Sequence, residues 1–185
     1  RGLGDVYKRQ LLGGKTAVSG NDTIIYSTAA QGTDNLINFI AGARASGGDV
    51  VALGVTGMGV VGQSAQGVAL TADAVVDLFV VSAAAATGVM TAADNIIVLQ
   101  SAFATTAGMI AAIVDGGTQE IQLNGTAVTG STYTLVWTDG NDSYISLLTV
   151  SGGTGVNLTT GGITTLSVLQ GVSPGALVAA NFDFV

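Results

Sequence analysis

The chain has 185 residues, of which 9% are charged, with five Lys and Arg against twelve Asp and Glu, and it contains no His and no Cys. Those absences exclude thiolate nucleophiles, disulfides, Cys/His zinc sites and imidazole acid–base catalysis. A net charge of −7, with only Lys15 and Arg44 basic beyond position 10, argues against a phosphate-backbone partner such as nucleic acid.

The charged fraction is far below the roughly 25% of ordinary soluble domains, and 28 Gly fill part of the gap. Glu120 is the only glutamate; every other acid is Asp, a residue of turns rather than of helix surfaces. Short strands joined by tight turns are therefore expected, in one domain or one domain with a small edge module.

Residues 1–10 hold three of the five basic residues and have the composition of a translated adapter. They are expected to be a non-native segment outside the fold. From Gly20 onward three β-prone runs follow, Thr23–Tyr26, Leu36–Ile40 and Val50–Leu53. Each is introduced by Gly and Asp: Gly20-Asn21-Asp22, Gly32-Thr33-Asp34 and Gly48-Asp49. Gly allows left-handed backbone and Asp accepts from the amides that follow, so each pair turns the chain into a strand. The same Asp22, Asp34 and Asp49 are candidate Ca²⁺ ligands, since Asp carboxylates on successive Gly turns suit a hard cation. The alternative is ordinary Asp turns.

Residues 54–93 are rich in Gly and Ala, and periodicity does not separate strand from helix there. The stretch 57–62 spells GxGxxG but lacks the surroundings of a dinucleotide site. Asn95–Leu99 reads as a buried strand. Ser101 is the expected cap of a helix with apolar Phe103, Ala107, Ile110 and Val114, ended by Gly116-Gly117. The uncharged window from Asn95 to Val114 thus reads as strand and helix, not as a membrane span. Strands are expected at Glu120–Leu123, and at Tyr133–Thr138 paired with Tyr144–Val150 through Asp139-Gly140-Asn141-Asp142. Trp137 and Tyr144 lie where they can pair across that hairpin. Thr164–Gln170 is a further strand, and Asn181–Val185 alternates as a last one.

The fold expected is mainly β, an antiparallel β-roll or sandwich-like domain with one short helix, with α+β as the alternative. Residues 11–53 would form the degenerate end of a β-roll, and 54–185 a mainly β C-terminal domain. Catalysis has thin material. The candidate carboxylate pairs, Asp73 with Asp77 and Asp139 with Asp142, sit in plain turn or helix-start settings without an aromatic platform for sugars. No enzyme is expected.

The runs Asp22-Thr23-Ile24-Ile25, Asp34-Asn35-Leu36-Ile37-Asn38-Phe39 and Gly48-Asp49-Val50-Val51-Ala52-Leu53 resemble the end of the β-roll in serralysin-type and other glycine-rich-repeat exoproteins. The tail Leu177–Val185 is similar to those of bacterial surface proteins with a bluetail-type C-terminal domain. The resemblance implies export through a type I, ATP-driven exporter, an uncleaved terminal signal, secretion or surface display, and Ca²⁺-assisted folding outside. Asp183, Phe184 and Val185 would be read by the exporter. Full nonapeptide repeats are missing, and so is the zinc protease domain, so proteolysis does not transfer. The other expectation is self-association in a surface layer or phage particle.

Overall fold

The computed structural model describes residues 9–11, 22–62, 67–83, 87–151 and 156–185; the adapter-like stretch lies almost wholly outside them. In chain order the elements are β1 (Arg9–Leu11), β2 (Thr23–Tyr26), β3 (Asp34–Ile37), β4 (Val50–Leu53), the one-turn helix α1 (Val55–Met58), β5 (Leu78–Val81), β6 (Thr87–Val89) and β7 (Ile96–Ala102). They continue with helix α2 (Thr106–Ile113), β8 (Glu120–Gln122), β9 (Thr132–Thr138), β10 (Ser143–Val150), β11 (Thr160–Leu169) and β12 (Phe182–Phe184). The fold is mainly β with short helices.

Strand direction differs from the antiparallel expectation. The large sheet has the order β1-β3-β11-β10-β9-β7-β5, and only β10 runs against the others. The second sheet, β12-β4-β2, is wholly parallel. The reason is topological: β1 to β4 alternate between the two sheets, each return landing beside the earlier strand. Thr23 aligns with Val50 and Arg9 with Asn35, so one circuit takes 26 or 27 residues. The pairs β1/β2 and β3/β4 are therefore successive coils of a two-sheet parallel solenoid. The third coil is β11/β12, lying beside β3 and β4, and everything between β4 and β11 is inserted ahead of it. Strands from both sides of the expected division at 53/54 thus share both sheets.

Packing follows from the period-two alternation of the strands. In the small sheet, Ile24, Val51 and Phe182 align in one inward row, and Tyr26, Leu53 and Phe184 in the next. These residues form one core with Leu36, Ile96, Val98, Val136, Ile145, Leu147, Leu166 and Leu169 of the large sheet. The opposite face of the large sheet carries Ile97, Leu99, Tyr133, Leu135, Trp137, Leu148 and Val150. Met109 and Ile113 of α2 and Ile121 of β8 cover it. Because β9 lies between two cores, all seven of its residues are buried. That explains its continuous apolar and Thr text.

The hairpin β9–β10 forms with Trp137 opposite Tyr144. Their rings stack at 4.3 Å between centroids and 16° between planes. The helix forms one turn later than expected. Ala102 still pairs with Thr138, which keeps Ser101 in β7. The cap is instead Thr105, whose Oγ1 accepts from Gly108 N at 3.0 Å.

Candidate functional site

The candidate residues sit at the entries and the end of the small sheet. Directly before β2, β4 and β12 stand Asp22, Asp49 and Asn181. Asp49 is 1% exposed. Its Oδ1 accepts from Asp22 N at 3.0 Å and its Oδ2 from Ile40 N at 2.8 Å, so one carboxylate ties two other segments to the start of β4. Such charge-assisted bonds are about twice as strong as neutral ones. Gly48 is required just before it, because a Cβ there would stand 2.1 Å from the Gly42 carbonyl oxygen.

Asn181 completes the arrangement. It is fully buried and uses all four of its side-chain hydrogen-bonding positions. Oδ1 accepts from Gly42 N at 2.9 Å and from Val178 N at 3.1 Å. Nδ2 donates to Gly42 O at 3.0 Å and to Asp49 O at 2.8 Å. One amide therefore docks the terminal strand onto the 40–49 loop. Asn95 plays the same part before β7. Its Oδ1 accepts from Asp77 N at 2.9 Å and its Nδ2 donates to Val75 O at 2.7 Å, fixing the entry to β5.

Asp34 lies elsewhere, at the start of β3 opposite Ser167 of β11. It is buried, as are Ser167 and Tyr26. Burial, with the Asp34 charge beside it, pushes the Tyr26 phenol far above its ordinary pKa. Among the described residues, no three Asp or Glu gather into a cation shell. Both Asp49 oxygens face main-chain N–H groups. Asp22 and Asp49 stand at entries of the small sheet, while Asp34 opens β3 of the large sheet.

The terminal residues separate by face. Phe182 and Phe184 are buried at 4% and 0% exposure, while Val185 remains 42% exposed and Asp183 partly so. Of the two apolar residues after Asp183, Phe184 thus enters the core and Val185 does not. Val185 N donates to Leu53 O and Val185 O accepts from Val55 N, both at 3.0 Å. On the outer edge Asp73 N donates to Phe184 O at 2.7 Å.

The remaining motifs are accounted for locally. Asp139 Oδ1 accepts from Asn141 N and Asp142 N at 2.8 and 2.9 Å, and Oδ2 from the Tyr144 hydroxyl at 2.8 Å. The amide bonds from Asp142 and Asn141, then that of Tyr144, hold the Asp139 carboxyl below its usual range. The same bond, with partial burial, pushes Tyr144 up to about 12. Within GxGxxG, a Cβ at Gly57 would stand 2.0 Å from Ser27 O, so that glycine serves a close backbone approach. Sequence reasoning missed Asn95 and Asn181. The available signal was an Asx residue directly before an apolar run, as at Asp49.

Among the described residues no helix is long and apolar enough to cross a membrane. Comparison with protein-family models, curated proteins and solved structures finds no match for the chain.

Proposed function

We propose that this chain is a non-catalytic module of an exported or cell-surface bacterial protein, and that Asn181–Val185 is read by a type I exporter while unfolded. The observation that supports this is the fate of the segment on folding. Phe182 and Phe184 become buried once β12 pairs with β4, leaving Asp183 and Val185 at the surface. An apolar recognition element of this kind is accessible before folding and concealed after it. Chain composition agrees: without Cys, no disulfide obstructs passage of an extended chain. Ca²⁺ at Asp22, Asp34 and Asp49 is not part of the proposal, because Asp49 already satisfies main-chain amides.

Export is tested in cells carrying an ATP-driven type I exporter, with the chain quantified in medium and cytosol. Asp183→Lys changes an accessible position, so the purified variant keeps its melting temperature while its export falls. Unchanged export of a chain lacking residues 181–185 would sink the proposal.

A second reading, self-association at the cell surface, is favoured by one region. Val80 on β5, at an edge of the large sheet, is 46% exposed, with Val75 at 85% and Val89 at 61% nearby in sequence. Natural sheets blunt such edges with charge. Sedimentation of the purified chain and of Val80→Lys tests it: concentration-dependent association that the lysine abolishes supports the reading, and a monomer at all concentrations removes it.

A further inference from the structure

The parallel strands β7 and β9 end at the same rim of the large sheet, where β10 begins and the chain leaves β11. There a cleft of about 300 Å³ opens between Gln100 and Ala102 of β7, Thr138, Gly140 and Asn141 of the hairpin, and the turn Gly171–Pro174. Its volume lies at the lower bound of small-molecule sites. The floor is built, not incidental. Ser143 Oγ donates to Val172 O at 2.6 Å, and Gly171 N donates to Asp142 Oδ1 at 2.8 Å, so the turn is tied to the hairpin.

Three hydrogen-bonding side chains line this cleft without a bond to any other described residue: Gln100, Asn141 and Ser173. Gln100 and Ser173 flank the same part of the rim, since a Cβ placed on neighbouring Gly175 would meet Gln100 Nε2 at 3.4 Å and Ser173 Oγ at 3.8 Å. Each of the three both donates and accepts. Among the described residues, no charged side chain lines the cleft. The neighbouring carboxylates are turned to other uses: Asp139 to Asn141 N, Asp142 N and Tyr144, and Asp142 to Gly171 N. Ala102, Val172 and Pro174 add small apolar surface beside the polar groups.

We infer that this cleft binds a neutral, hydroxyl-rich ligand, one sugar unit of a glycan. Adjacent sugar hydroxyls each donate and accept, which matches two amides and a hydroxyl. The C–H face of the ring matches the exposed Ala102 methyl at the cleft wall. Among the described residues, an anionic ligand would find no cationic side chain lining the cleft, and a cation no carboxylate. The inference stands independently of export.

The purified full chain, labelled with ¹⁵N, is titrated with methyl glycosides of glucose, galactose, mannose and N-acetylglucosamine, and with glucuronate as the charged control. At least one neutral glycoside is expected to shift the amides of Gly140, Asn141, Gly171 and Ser173 saturably, with glucuronate weaker. Gln100→Ala and Asn141→Ala, both at exposed positions, are each expected to weaken binding about tenfold, the value of one well-formed hydrogen bond, without altering the rest of the spectrum. Shifts centred elsewhere, binding insensitive to both variants, or no response to any neutral glycoside would overturn the inference.

Discussion

The coils and the insertion solve the same problem differently. In the coils, neighbouring strands are far apart in sequence: Val51 pairs with Phe182, and Leu36 with Leu169. Such contacts bring the full cost of closing a long loop before any reward. Their register is fixed by buried Asx side chains at strand entries, Asp49 and Asn181 above all. In the inserted hairpin, β9 and β10 are adjacent, and four residues reverse the chain. Register there is set by the Asp139 turn and the Trp137–Tyr144 stack. Long-range pairing thus relies on buried polar ties, whereas local pairing relies on turn chemistry.

Breaking the third coil should have the largest effect. Phe184→Ala empties a fully buried site shared with Tyr26 and Leu53, and should cost about 4 kcal/mol in urea unfolding. Val185→Ala next to it should change stability by less than about 0.5 kcal/mol. Equal losses at the two positions would contradict the burial of the terminal strand.

Next comes the pair of asparagines. Asn181→Ala removes the partner of four main-chain groups, Asp49 O among them fully buried, and should cost about 3 kcal/mol, whereas Asn95→Ala removes the partner of two and should cost about 2 kcal/mol. The same denaturation series measures both, and a reversed order would show that the insertion depends on such ties more than the coils do.

Smaller effects sharpen the contrast at the hairpin. The Tyr144 pKa is raised in the folded state, to about 12, so its contribution is complete below the unfolded value of about 10 and is lost as pH rises through that window. Tyr144→Phe should flatten this alkaline loss in thermal melts. Asp139 is shifted the other way: its contribution is present above the ordinary carboxylate pKa and lost as pH falls through the depressed folded one. Asp139→Asn should therefore reduce the acid sensitivity of the melting temperature. Smallest of all, adding Ca²⁺ or chelator should leave the melting temperature unchanged, because each Asp49 oxygen already accepts from a main-chain amide, Asp22 N or Ile40 N. A rise of several degrees with Ca²⁺ would reassign those acids as ligands.

The local rules of the chain were readable from its residues. β-Prone runs behind Gly and Asp marked β2 and β4, Asp-Gly between apolar runs marked the hairpin, and the Trp137–Tyr144 pairing followed from their distances to that turn. Gly-Asp pairs were correctly placed at strand entries, where the Asp49 carboxylate accepts from Asp22 N and Ile40 N. Single-sequence periodicity could not show that β11 returns beside β3 and β12 beside β4, across an insertion longer than the coils themselves. Nor could it fix strand direction, since an alternating strand reads alike in parallel and antiparallel sheets. Only the tertiary structure decided those pairings, because they depend on which apolar rows close one core. That closure also made Asn181 a buried clamp and Phe184 a core residue.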